Sequence, residues 1–79
     1  MNVKTLLGID IGSTTAKVVL EQNGVITYQC YERHYSMVRQ KTLEILSRLT
    51  DLIGDAPIKV AISGSAGLGL AREAGIPFV

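Results

Sequence analysis

A chain of 79 residues, 47% apolar and 19% charged, is one domain or part of one, too short for a complete two-lobed nucleotide enzyme. Its single Cys30 excludes an internal disulfide and a four-ligand zinc or iron–sulfur site built from these residues alone, so the fold is expected to rest on its apolar core in a reducing compartment. A formal net charge of +1 gives no electrostatic footprint for nucleic acid or an anionic membrane, and the N-terminal run, interrupted by Gly8 and Asp10, matches neither a signal peptide nor a membrane span; the reading is a cytoplasmic chain.

The elements follow in chain order. Leu6 to Ile11 is a short apolar run containing Asp10 and bounded by Gly12-Ser13-Thr14, which reads as a buried strand ending in a turn. Ala16 to Gln22 is a second strand, with Val18 and Leu20 alternating with Lys17, Val19 and Glu21. Asn23-Gly24 is a strong hairpin signal, because both residues tolerate the positive φ of a type I′ turn. Val25 to Glu32 is the third strand, with Ile26, Tyr28 and Cys30 on one face. The period then lengthens to that of a helix from about Met37 to Ile53, with Ser36 as N-cap and Gly54 beyond its end. Val38, Thr42, Ile45, Leu46, Leu49, Leu52 and Ile53 form its stripe, and Leu43 falls off it. Pro57 precedes a fourth strand, Ile58 to Ser63, which arrives by a helical crossover and is therefore expected to pair in parallel. Ser65 is a candidate cap for a short helix from Ala66 to Ala74, ended by Gly75 and Pro77, and Ile76 to Val79 reads as the opening of a further strand.

Chemistry concentrates in Leu7-Gly8-Ile9-Asp10-Ile11-Gly12-Ser13-Thr14-Thr15-Ala16-Lys17. An acid at a strand end is followed at once by a tight turn of small and hydroxyl residues, which offers backbone N–H groups and the Ser13, Thr14 and Thr15 hydroxyls to phosphate oxygens, with Gly12 permitting close approach. Asp10 is placed to hold Mg²⁺ through its waters, and Lys17 to bring a point charge near the phosphates. A Walker A loop and a dinucleotide fingerprint both fail on spacing, and this turn opens a strand rather than a helix. The competing reading is a plain hairpin in which Gly12 serves the turn and Asp10 caps backbone N–H groups. Ser63, Gly64 and Ser65 lie at the C-terminal end of a parallel strand, where ligands collect in open α/β sheets, although Ser65 is equally well explained as a cap. His34 reads chiefly as a loop residue, and Cys30 as a buried strand thiol.

The segment Gly8 to Thr15 resembles the first phosphate loop of the actin, sugar kinase and heat-shock-protein-70 ATPase superfamily. Together with Ala16-Lys17, Tyr31 to Ser36 and Ile62 to Ala71, it is similar to the CoA-substrate-specific activases, the activators of 2-hydroxyacyl-CoA dehydratases and benzoyl-CoA reductases, over essentially the whole chain. The resemblance implies an α/β, ribonuclease-H-like half-domain with a mixed sheet in the order 3-2-1-4, incomplete in these 79 residues. It also implies an ATPase that binds ATP and ADP with Mg²⁺, forms a homodimer in its full-length form, and drives an electron from a [4Fe–4S] cluster to a CoA-substrate dehydratase or reductase component. The cluster cysteines of that family lie further along the chain, so Cys30 matches none of them. Asp10, Gly12, Ser13, Thr14, Thr15 and Lys17 are the site residues carried over, and they form half of a site. A sugar or acyl-substrate kinase of the same superfamily, and a binding module without turnover, are the alternatives.

Overall fold

The computed structural model describes residues 3–79. Strands β1 (Thr5–Ile11), β2 (Thr15–Gln22) and β3 (Val25–Arg33) form an antiparallel meander. Helices α1 (Val38–Ser47) and α2 (Thr50–Ile53) carry the chain across to β4 (Ile58–Ser63), which pairs in parallel with β1, and α3 (Leu68–Ala74) follows. The sheet order is β3-β2-β1-β4, the order expected of the half-domain. Asn23 and Gly24, with φ of 54° and 82°, make the tight turn between β2 and β3.

Side-chain alternation gives the sheet one packed face and one open face. Leu7, Ile9 and Ile11 of β1, Ala16, Val18 and Leu20 of β2, and Ile62 of β4 are buried together with Ile45, Leu49 and Ala71 from the helical side. On the other face Leu6, Gly8 and Asp10 are exposed. The first strand is thus half-buried rather than buried throughout, and Asp10 is solvated, so its charge carries no burial penalty that a cation would have to offset.

Three local expectations are corrected. The ladder between β2 and β3 shifts register at Leu20/Glu21, where Glu21 pairs with Ile26 and Leu20 with Tyr28. This irregularity breaks the alternation, and Ile26 is exposed while Tyr28 and Cys30 stay half-buried. The expected helix from Met37 to Ile53 is two helices, because Arg48 and Leu49 donate to the carbonyls three residues back, Ile45 and Leu46. Around the break, the Ser47 hydroxyl donates to the Glu44 carbonyl at 2.6 Å and the Thr50 hydroxyl to the Ser47 carbonyl at 3.1 Å, the local bonding by which Ser and Thr compete with a helix. Leu49 is fully buried across that break, whereas Leu52 is exposed. Neither proposed serine cap is used. Met37 precedes α1 with no side-chain cap, and α3 starts at Leu68 after Gly67 rather than at Ala66.

Gly75 ends α3 in the left-handed conformation. The chain beyond it returns to β4 as a single parallel bridge between Ile62 and Phe78, with Ile62 N–H donating to the Pro77 carbonyl at 3.0 Å and Val79 N–H to the Ile62 carbonyl at 2.8 Å. The chain thus makes one bridge where the further strand was expected to open, against the C-terminal end of β4. Among the described residues no helix is long and apolar enough to cross a membrane.

Candidate functional site

Three neighbouring strands bring Asp10, Lys17 and Ser63 into one row, because Asp10 is the register partner of Lys17 on β2 and of Ser63 on β4. The Ser63 hydroxyl donates to Asp10 Oδ1 at 3.1 Å. A shallow depression of about 290 Å³ in the open face of the sheet is lined by these three with Gly8, Val19, Ala61 and Val79. Its floor is low because Gly8 and Ala61, paired across β1 and β4, contribute almost no side chain. The acid and the lysine read from the sequence thus share one stretch of the open face, and Ser63 joins them there. Lys17 makes no ion pair among the described residues, so its charge is free to face an anion.

Ser13 and Thr14 form the exposed tip of the turn above this row. Gly12 N–H donates to the Thr15 carbonyl at 2.8 Å, so this donor closes the hairpin and is not offered outward. A Cβ at Gly12 would sit 3.6 Å from the Thr15 carbonyl oxygen and 3.7 Å from its hydroxyl, which is ordinary contact, so nothing within the fold itself demands glycine here. Thr15 is half-buried at the start of β2.

The residue that fixes the turn is His34, only 3% exposed. Its backbone N–H donates to the Thr14 carbonyl at 3.0 Å. Its ring Nε2 lies 2.9 Å from the Gly12 carbonyl, while Nδ1 accepts the Ser36 N–H at 3.0 Å. A carbonyl can only accept and an N–H can only donate, so these partners select the neutral ring with its proton on Nε2. The clasp also orients the loop. In a trans peptide the C=O and the following N–H point in opposite directions, so aiming the Gly12 and Thr14 carbonyls at His34 turns the N–H groups of Ser13 and Thr15 away from it. Its partners in the turn, Gly12 and Thr14, lie far earlier in the sequence, and only the register of three strands brings His34 beneath them.

On the other side, the segment after β4 folds over the end of β1. Ala66 N–H donates to the Ile11 carbonyl at 2.9 Å, and Gly64 takes φ of 99°. A Cβ at Gly64 would lie 2.3 Å from the Ile11 carbonyl oxygen and 2.6 Å from Asp10 Oδ1. Gly67 is equally confined, with the Ser63 carbonyl oxygen 2.5 Å away. The small residues after β4 thus let a second loop pack against the acid-bearing strand end. Cys30 lies apart on β3, and among the described residues no three His, Cys, Asp or Glu side chains gather as a direct metal-ligand cluster.

No family model matches the sequence, and no curated protein matches it. Two solved structures are similar in the course of the chain. One is the crystal structure of the Aquifex aeolicus member of the Ppx/GppA protein family, at 16% identity and a TM-score of 0.44, covering 94% of this chain and 33% of that one. The other is a structural study of the Aquifex aeolicus PPX-GPPA enzyme, at 15% identity and a TM-score of 0.42, covering 94% of this chain and 34% of that one. The chain spans about a third of the length of these proteins.

Proposed function

We propose that this chain binds the phosphates of Mg·ATP at the turn between β1 and β2, as the phosphate-binding part of an ATP-hydrolysing activator of the kind its sequence resembles. The observation that carries this reading is the row formed by Asp10, Lys17 and Ser63 beneath a turn of hydroxyl residues. Asp10 is an exposed single carboxylate with one oxygen accepting from Ser63, a donor set suited to an ion held through its own waters rather than by a protein cage. Ser13 and Thr14 supply hydroxyl donors to phosphoryl oxygens, and Lys17 supplies a positive charge on the same face. Mg²⁺, when bound, would offset phosphate charge there.

In the full-length activator, hydrolysis would drive electron transfer to a CoA-substrate dehydratase or reductase component. A [4Fe–4S] cluster does not fit these residues, because Cys30 is the only thiol, and in this reading it belongs to another part of a homodimer.

The test is Asp10→Asn. The amide retains an oxygen to accept from Ser63 but loses the charge, so melting without nucleotide should stay within about 0.5 kcal/mol of the parental chain. Stabilisation by Mg·ATP, which for the parental chain is about 2.7 kcal/mol at a hundredfold excess over Kd, should disappear. A variant that unfolds without nucleotide while its folded fraction keeps full nucleotide affinity would make Asp10 a structural cap and overturn the reading.

A further inference from the structure

Beside the His34 clasp, the turn after β1 and the turn after β3 border an open pit of about 90 Å³ lined by Ser13, Thr14, Arg33, Tyr35 and Ser36, all exposed. We infer that this pit is an anion site seating a phosphoryl group, with Arg33 as its cation. The inference rests on the phosphate-binding reading above and adds a second wall to it, from a segment outside the phosphate-loop motif.

The pit is less than a third of the roughly 300 Å³ at which small-molecule pockets begin, so it suits a tetrahedral oxyanion and not a base or a ribose. Its lining is rich in donors: three hydroxyls from Ser13, Thr14 and Ser36 stand with a guanidinium fork, and no carboxylate is among them. Arg39, Lys41 and Arg48 are all paired with glutamates, whereas Arg33 makes no ion pair among the described residues. Arg33 instead lies over the Tyr35 ring at 5.6 Å, a contact that positions the fork without neutralising it. Arg33 is also the register partner of Thr15, which continues the Ser13-Thr14 turn.

The pit is preformed. Tyr35 and Ser36 are consecutive non-glycine residues with φ of 51° and 62°, a conformation that persists where surrounding contacts impose it. Here the imposing contacts are Ser36 N–H to His34 Nδ1 and Met37 N–H to the His34 carbonyl, while the same histidine holds Gly12 and Thr14. One buried ring therefore sets the distance between the two walls.

The experiment is NMR titration of the isotope-labelled chain with inorganic phosphate, at ionic strength held constant with chloride, and separately with Mg·ATP. Saturable shifts are expected at the Ser13, Thr14 and Ser36 amides and at the Arg33 side-chain Nε–H, with Arg33→Gln weakening phosphate about tenfold or more and the same change at the exposed Arg72 of α3 leaving phosphate binding unchanged. An Arg33 Nε–H resonance in the parental chain that does not move on the same isotherm overturns the proposal however the variant folds, as does parental phosphate affinity in Arg33→Gln. Mg·ATP binding that depends on Asp10 but not on Arg33 would leave the nucleotide reading standing without the pit. Arg33-dependent phosphate binding with no response to Mg·ATP would do the reverse.

Discussion

Gly12 and Gly64 both border the acid-bearing strand end, yet the fold constrains them very differently. At Gly64 a methyl group would meet the Ile11 carbonyl and the Asp10 carboxylate from a backbone at φ 99°, so any side chain there must displace the strand end or the loop. Gly64→Ala is therefore expected to destabilise the chain by at least about 1–3 kcal/mol, the cost of a left-handed backbone alone, and to break the bond between Ser63 and Asp10. Gly12→Ala meets only ordinary contacts and should stay within about 0.5 kcal/mol of the parental chain. Urea unfolding of the two variants checks the ranking, and the reverse order would show that the turn, not the loop after β4, is the tighter element. The phosphate-loop pattern draws attention to Gly12, because a motif is read along the chain. The constraint on Gly64 comes from Ile11 and Asp10, more than fifty residues earlier in sequence, and a linear pattern carries no such neighbour.

The strands and their order were legible because each signal is local: alternation within a segment, Asn23-Gly24 between two of them, and a crossover long enough to demand parallel pairing. The helix was legible as a stripe but not as two pieces, since apolar spacing is continuous from Val38 to Ile53 and the break is made by hydrogen bonds at Ser47, Arg48 and Thr50. Arg48, at the break, reaches Glu32 on β3 through both guanidinium nitrogens and the Tyr28 hydroxyl at 3.3 Å, fastening the helical layer to the edge strand. The hydrogen bond from Arg48, aided by its charge and by Lys41, holds the Glu32 carboxyl at about 2 against an ordinary value of 4.5. A carboxyl lowered in the folded state stabilises that state above its unfolded value, and the contribution is lost as pH falls from about 4.5 toward 2. The pair is partly exposed, which limits its contribution to about 1 kcal/mol at neutral pH. Glu32→Gln should thus be less stable than the parental chain by about that amount at pH 7 and equal to it near pH 2, as read from urea midpoints across the range. A gap that stays constant with pH would mean that Glu32 acts through packing alone.

At the scale of the whole molecule, both longer helices lie on one face of the sheet, linked by the ion pair between Arg39 and Glu73, and the other face carries the acid, the lysine and the depression. The site is consequently open: Asp10, Ser13, Thr14 and Arg33 are all exposed, and among the described residues Asp10 has the only carboxylate side chain lining either the depression or the pit. Binding a phosphate and transferring it make different demands on such an arrangement. Binding needs donors and charge on one side. Transfer to water needs the attacking oxygen held in line with the leaving group and developing charge stabilised in a place from which bulk water is excluded. An exposed row of side chains on one sheet face meets the first requirement and not the second, and a single carboxylate engaged with a hydrated cation is not free to orient the nucleophile as well. The 79-residue chain should therefore release phosphate from Mg·ATP no faster than Asp10→Ala, even under conditions in which Mg·ATP raises its melting temperature. Phosphate release and thermal shift measured on the same samples separate the two demands, and turnover clearly above the Asp10→Ala background would require that these residues position the attacking water by themselves.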